Sequence, residues 1–114
     1  MPYLQIQTNH SIEAEHRAVV LHGASGLVAE QLGKAERYVM VALRDAAPML
    51  FAGSDAPAAY LELKSIGLPA EATARLSDAL CEFMERELEI PRDRVYVEFA
   101  DAPRHMWGWN GGTF

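Results

Sequence analysis

The chain repeats a strand-like pattern at an interval of 57 residues, which is half of its length of 114. Residues 3–7 and 60–64 are related by this interval, and both alternate in the way that strands do. Residues 37–41 and 94–98 are related by the same interval and are rich in Val and Tyr, which favour strands. The interval therefore predicts two copies of one folding unit, each with two strands.

A segment of helical length separates the strands of each pair. The first begins near Ser11 and ends by Gly33, a residue typical of helix ends. The second has Pro69 in its first turn and Pro91 just beyond its end. Each half of the chain therefore reads as a strand–helix–strand unit.

Such a unit makes its two strands parallel, and two units can form one four-stranded mixed sheet with both helices on one face. We expect an α+β fold in a single domain, residues 1–114, built from pseudo-repeats 2–57 and 59–114. Apolar residues occur on much of both faces of residues 39–43 and 95–99. We therefore expect the face without helices to be apolar and covered by oligomer partners.

Residues 19–26 have an alternative interpretation to the first helix. Their sequence, Val-Val-Leu-His-Gly-Ala-Ser-Gly, resembles a strand that leads into a phosphate-binding loop. That motif needs a new helix after the strand, and few residues remain before Gly33. We favour a continuous helix, in which Gly23 and Gly26 each cost about 1 kcal/mol relative to alanine. We expect these glycines to permit close packing on the sheet.

Composition excludes several classes of function. The net charge is −6 and no Lys/Arg cluster exceeds a pair, so we expect no nucleic-acid partner. The one cysteine, Cys81, allows no internal disulfide and is expected to be buried. No signal-like or membrane-spanning apolar run occurs, so we expect no membrane partner and a cytoplasmic location, with leaderless secretion left open. No metal or cofactor is predicted.

Pro2 is the first candidate for chemistry. A Met before proline is removed by aminopeptidases, so we expect the mature chain to begin at Pro2 with a free secondary amine. This amine is a base at neutral pH only where burial or a neighbouring cation disfavours its charged form. Many chains begin with Met-Pro, so this pair alone does not indicate a catalytic amine.

Five ordered motifs give the chain an end-to-end resemblance to the macrophage migration inhibitory factor (MIF) family of the tautomerase superfamily, which has bacterial and D-dopachrome tautomerase members. They are Pro2, Gly33-Lys34 ahead of Tyr38, Lys64-Ser65-Ile66-Gly67, Asp93-Arg94-Val95-Tyr96, and Gly108-Trp109-Asn110 with Thr113-Phe114. The resemblance implies a MIF-like homotrimer whose sheets face a central channel. The family's CxxC is absent, since Ala58 and Leu61 stand at its positions, so thiol–disulfide activity is not expected.

The resemblance also implies an isomerase, a cofactor-independent keto–enol tautomerase of phenylpyruvate-like aromatic α-keto acids, with D-dopachrome as a further candidate. Pro2 would take a proton from the carbon beside the carbonyl. Lys34 would lower the pKa of Pro2 and pair with the substrate carboxylate or the developing oxyanion. The backbone N–H of Ile66, beside Lys64 and Ser65, would hold the substrate carboxylate.

Aromatic side chains would form the walls that hold a phenyl ring and keep water from the base. These are Tyr3, Tyr38, Tyr96, Trp107, Trp109 and Phe114. The resemblance implies that Tyr96 reaches a neighbouring subunit's pocket, so that sites lie at subunit interfaces. Glu98 shares a strand face with Tyr96 and stands where the better-studied members have asparagine. Its carboxylate would oppose the effect of Lys34.

Two other functions remain open from the sequence. The pocket could be vestigial in a cytokine-like interaction protein with a receptor, which the missing CxxC and Glu98 favour slightly. The chain could instead be a superfamily decarboxylase or dehalogenase, which uses the same proline with additional arginines or acids. Arg37, Arg44 and Glu98 are the only candidates for that chemistry near the expected face.

Overall fold

The computed structural model describes all residues, 1–114. Its elements are β1 (Tyr3–Thr8), α1 (Ala14–Leu32), β2 (Met40–Arg44), β3 (Ala59–Ile66), α2 (Thr73–Leu88), β4 (Val95–Ala102), and the short strands β5 (Gly108–Trp109) and β6 (Gly112–Thr113). The main sheet has the order β2-β1-β3-β4. The outer pairs are parallel and the central pair β1–β3 is antiparallel. The predicted mixed sheet of two strand–helix–strand units is confirmed, while the division into residues 2–57 and 59–114 stays a prediction.

The core lies between the sheet and the two helices, which pack on the same face. The central strands contribute alternate residues that are fully buried: Leu4 and Ile6 from β1, Leu61 and Leu63 from β3. The buried residues of α1 are Val20, Ala24 and Val28, at the spacing of one helical face. Leu76, Leu80, Phe83 and Met84 are among those of α2. Cys81 belongs to the same hydrophobic cluster, as predicted. Neither helix has the length and apolar character that a membrane span requires.

Residues 19–26 lie inside α1, so the prediction of a continuous helix is confirmed. A Cβ at Gly23 would lie 3.0 Å from the ring of Phe83, whereas a Cβ at Gly26 would meet nothing within 4 Å. The expectation that both glycines pack on the sheet is therefore wrong. Gly23 permits close approach of α2, and Gly26 faces open space.

The second strand begins later than the sequence predicts. Glu36–Tyr38 form a 3-10 turn in which the N–H of Tyr38 donates to the Ala35 carbonyl at 3.0 Å. Pairing with β1 starts only at Met40, opposite Tyr3. The predicted strand at 37–41 is therefore displaced by three residues, and the turn, rather than a strand, positions Tyr38.

The face of the sheet without helices is largely polar, so the expectation of an apolar face is wrong, while its cover by oligomer partners stays a prediction. Strand alternation turns Val41, Leu43, Val97 and Phe99 toward the core. The residues between them and their neighbours across the sheet occupy the open face. These include Gln5, Gln7, Met40, Ala42, Arg44, Tyr60, Glu62, Lys64, Tyr96 and Glu98. Counting the apolar residues on both faces of a strand overstates the apolar surface of the open face, because the count includes the side chains that are buried in the core.

Candidate functional site

Pro2 lies buried at the start of the central strand β1. Its carbonyl accepts a hydrogen bond from the N–H of Met40 at 3.0 Å, which extends the β1–β2 ladder by one step. The next residue, Tyr3, pairs with Met40 on one side and with Lys64 on the other. Pro2 is therefore held at the end of the sheet between two neighbouring strands.

A cleft with two adjoining lobes opens at this end of the sheet. The aromatic lobe has a volume of about 500 Å³ and is lined by Met1, Pro2, Tyr3, Arg37, Tyr38, Val39, Met40, Trp107, Gly108, Trp109 and Phe114. The cationic lobe has a volume of about 280 Å³ and is lined by Met1, Gly33, Lys34, Ala35, Tyr38, Ile66, Arg104 and Phe114. Met1, Tyr38 and Phe114 line both, so the lobes meet at these residues.

Stacked aromatic rings form the wall of the aromatic lobe. Tyr38 and Trp109 meet edge to face with ring centroids 6.1 Å apart, and Trp109 stacks on Phe114 at 5.9 Å. The hairpin of β5 and β6 holds this wall, with Asn110 and Gly111 both at positive φ in its two-residue turn. The sequence pattern did not predict this hairpin, although Asn-Gly between two short apolar runs is a hairpin signal.

Lys34 enters the cleft from the end of α1. Gly33 has a φ of 62° and ends the helix, and the N–H of Lys34 donates to the Ala29 carbonyl at 3.0 Å. The pKa of the Met1 α-amine is lowered, first by burial and second by the positive charge of Lys34. The chain end at this cleft is therefore a place where an amine is shifted toward its neutral, basic form.

Most of the predicted site residues meet in the cleft. Pro2, Tyr3, Tyr38, Trp107, Trp109 and Phe114 line the aromatic lobe, and Lys34 and Ile66 line the cationic lobe. The side chains of Ser65 and Lys64 do not line it. Ser65 is buried and its hydroxyl donates to the Ile66 carbonyl at 3.2 Å, while Lys64 lies on the open face, 3.7 Å from a Glu62 carboxylate oxygen.

Tyr96 and Glu98 lie away from the cleft of their own chain. The ring of Tyr96 is exposed and contacts Phe51, with centroids 4.8 Å apart. Glu98 stands opposite Glu62, which stands opposite Gln5. Strand spacings of about 4.8 Å and a rise of about 3.3 Å per residue then put the Glu98 backbone about 14 Å from that of Pro2.

The open face around Glu98 is acidic. Burial, followed by the charges of Glu98 and Glu62, raises the pKa of the Tyr60 hydroxyl. Both carboxylates thus face the middle of the open sheet. A contribution of Tyr96 and Glu98 to the pocket of a neighbouring subunit stays a prediction.

Arg104 lines the cationic lobe and was not predicted as a site residue. The sequence feature that could have identified Arg104 is its position in the turn directly before the aromatic tail motif. Arg37, named from the sequence only for decarboxylase or dehalogenase chemistry, lines the aromatic lobe. Arg44 lies at the far end of β2 and Glu98 lies on the open face, so one of the three candidates for that chemistry is in the cleft.

Comparison with known proteins agrees with this architecture. The model of the macrophage migration inhibitory factor (MIF) family matches residues 1–114. The macrophage migration inhibitory factor homolog of Brugia malayi is 37% identical over 115 residues, which cover 100% of this chain and 99% of that protein.

Two solved structures show the same fold. The crystal structure of the homologue from Prochlorococcus marinus has a TM-score of 0.92 and 42% identity, covering 98% of both chains. The factor from Trichinella spiralis has a TM-score of 0.90 and 32% identity, covering 98% of this chain and 99% of that one. The chain belongs to the macrophage migration inhibitory factor family, whose members have the tautomerase fold.

Proposed function

We propose that the protein is a cofactor-independent keto–enol tautomerase of phenylpyruvate-like α-keto acids, with D-dopachrome as a further candidate. Pro2 is the general base once Met1 is removed. The observation that carries the proposal is the position of Pro2, buried at the head of β1 in a cleft that has an aromatic wall and a lysine. Membership of the family supports it.

The environment of the chain end supports a basic amine at neutral pH. Burial and the charge of Lys34 already lower the pKa of the half-buried Met1 amine. Pro2 adjoins Met1 and lines the same cleft, so we expect burial and the charge of Lys34 to lower the pKa of its amine in the same way after Met1 is removed. A lowered pKa means that the amine loses its proton at a lower pH. The neutral form can then accept a proton from the substrate.

The two lobes suit the two ends of an aromatic α-keto acid. In the proposed complex the carboxylate lies in the cationic lobe, near Lys34 and the backbone of Ile66, and the ring lies against Tyr38 and Trp109. Pro2 removes a proton from the carbon between ring and carbonyl, and the electron pair moves to the carbonyl oxygen. Lys34 stabilises the resulting enolate, and protonation of its oxygen gives the enol.

We also propose that the working unit is a homotrimer with sites at subunit interfaces, in line with the oligomeric assembly of the family. A polar open face suits a water-filled central channel, and Tyr96, exposed in one chain, is then available to a neighbour. Light scattering tests the assembly. Subunits defective only at Pro2, mixed with subunits defective only at Tyr96, should regain some activity in hybrid sites, and an active monomer would contradict this arrangement.

The direct test of the base is an alanine inserted between Met1 and Pro2. The insertion turns the proline nitrogen into a tertiary amide that has no basicity. We expect protein that begins at Pro2, verified by mass, to convert phenylpyruvate between keto and enol forms. The extended protein should lose at least about 100-fold in kcat/KM, within the range attributed to general base catalysis. Full activity of the extended protein, with unchanged thermal unfolding, would remove Pro2 from the mechanism.

A further inference from the structure

Three basic side chains without a carboxylate partner line the cleft. Arg37 lines the aromatic lobe, and Lys34 and Arg104 line the cationic lobe. Four other basic residues each lie within ion-pair distance of a carboxylate: Arg17, Lys64, Arg86 and Arg92. In a chain of net charge −6, unpaired cations gathered at one cleft favour anionic ligands there.

The proposed reaction assigns a role to Lys34 of the cationic lobe and to no cation of the aromatic lobe. Lys34 and Arg104 lie there with Ile66, where the keto acid carboxylate is proposed to bind. Arg37 lies beyond the shared wall, at the other lobe. A substrate with a single carboxylate, bound in the cationic lobe, therefore leaves Arg37 without a binding partner.

Arg37 is held at the aromatic wall and keeps most of its hydrogen-bonding capacity. The guanidinium carbon lies 4.8 Å from the centroid of the Tyr38 ring. Its Nη2 is 3.4 Å from the Tyr38 hydroxyl oxygen, to which it donates, and this is its one side-chain hydrogen bond. A guanidinium has five N–H donors in a planar fork that fits a carboxylate. Arg37 can therefore bind a carboxylate at the edge of the aromatic lobe.

We infer that the preferred ligand is a dianion, an aromatic α-keto acid with a second carboxylate at the far end of its ring. Lys34 and Arg104 bind the keto acid end, and Arg37 binds the second carboxylate. The two lobes, about 500 and 280 Å³, together fall within the usual size of small-molecule sites. The substrate assignment rests on the proposed tautomerase function, whereas the preference for a dianion does not.

Calorimetric titration with unreactive probes tests the binding preference. Cinnamate has one carboxylate, and 4-carboxycinnamate adds a second at the far end of the ring. We expect the protein to bind the dianion about tenfold more tightly, with a preference that falls as salt rises. Arg37→Gln should reduce this ratio to about one. Arg44→Gln is the matched control, because Arg44 is an arginine without a carboxylate partner at the opposite end of β2, and it should keep the ratio.

Equal affinity for the two probes, or a preference that survives in Arg37→Gln, would overturn the inference. Turnover of phenylpyruvate and 4-carboxyphenylpyruvate separates it from the proposed function. If phenylpyruvate is converted and kcat/KM for the diacid is no higher, the dianion inference fails and the tautomerase proposal stands. If neither compound is converted but the dianion probe still binds more tightly, the tautomerase proposal fails and the dianion site stands.

Discussion

Replacing Arg94 with methionine is expected to lower the free energy of unfolding by about 2.5–3 kcal/mol. The Arg94 guanidinium donates hydrogen bonds at 2.9 to 3.2 Å to four carbonyls of the loop between β2 and β3, those of Phe51, Ser54, Ala56 and Pro57. It also lies 5.1 Å from the centroid of the Phe51 ring. One side chain therefore ties this loop to the start of β4.

The magnitude follows from the exposure of these bonds. Those to Phe51 and Ala56 are partly buried, and those to Ser54 and Pro57 are exposed. The partly buried bonds should contribute about 1 kcal/mol each, because the carbonyls are rehydrated when the guanidinium is lost. The exposed bonds and the ring contact together add about 0.5–1 kcal/mol.

Urea unfolding at one fixed protomer concentration measures the loss, since assembly makes stability depend on concentration. Arg94→Lys should retain only a small part of the free energy of unfolding that Arg94→Met loses, because an ammonium cannot reach four carbonyls at once. Arg75→Met is the control: Arg75 donates to the exposed Gln31 carbonyl at 3.1 Å and should contribute less than about 1 kcal/mol.

Amide hydrogen exchange measures the effect of Arg94→Met on the loop itself. The amides of Phe51 and Ser54 donate to each other's carbonyls at 3.0 Å, and their hydrogen exchange should accelerate in Arg94→Met. Because the Phe51 ring contacts Tyr96, loosening of the loop should also lower activity if Tyr96 serves a neighbouring site. A loss of stability no larger than that of Arg75→Met, with unchanged exchange, would show that the loop is ordered without Arg94.

Lys34→Met should move the rising limb of the pH profile of kcat/KM to higher pH, because the substitution removes a cation that lowers the pKa of the terminal amine. An unmoved limb would show that burial alone lowers this pKa. Glu98→Asn should move the same limb to lower pH by about one unit if Glu98 reaches the pocket of a neighbouring subunit, because a carboxylate there raises the pKa of the Pro2 amine. An unmoved limb would show that Glu98 lies outside that pocket. Gly26→Ala should raise the free energy of unfolding by about 0.5–1 kcal/mol, since the added Cβ meets no atom. Gly23→Ala should gain less, because its Cβ would lie 3.0 Å from the Phe83 ring, and equal gains would show that the ring moves at little cost.

The sequence by itself determined the two strand–helix–strand units and their union in one mixed sheet, although it placed β2 three residues too early and missed the β5–β6 hairpin. The interval of 57 residues identified two equivalent units, and the alternation within residues 3–7 and 60–64 identified β1 and β3. Gly33 marked the end of α1 because a left-handed residue commonly ends a helix. These features are predictable because periodicity and helix ends depend on residues close together in the chain. Pro2 and Lys34 were found through the resemblance to a family.

The tertiary structure decided which face of each strand is covered and which distant side chains meet. Alternation shows that Val97 and Glu98 point to opposite faces, but only the docking of the helices assigned the core to one and the open sheet to the other. Arg37 and Arg104 are far apart in the chain and come to one cleft only through the 3-10 turns ahead of β2 and β5. The physical reason is that burial and charge pairing depend on contacts between distant segments, and those contacts exist only once the strands and helices have packed.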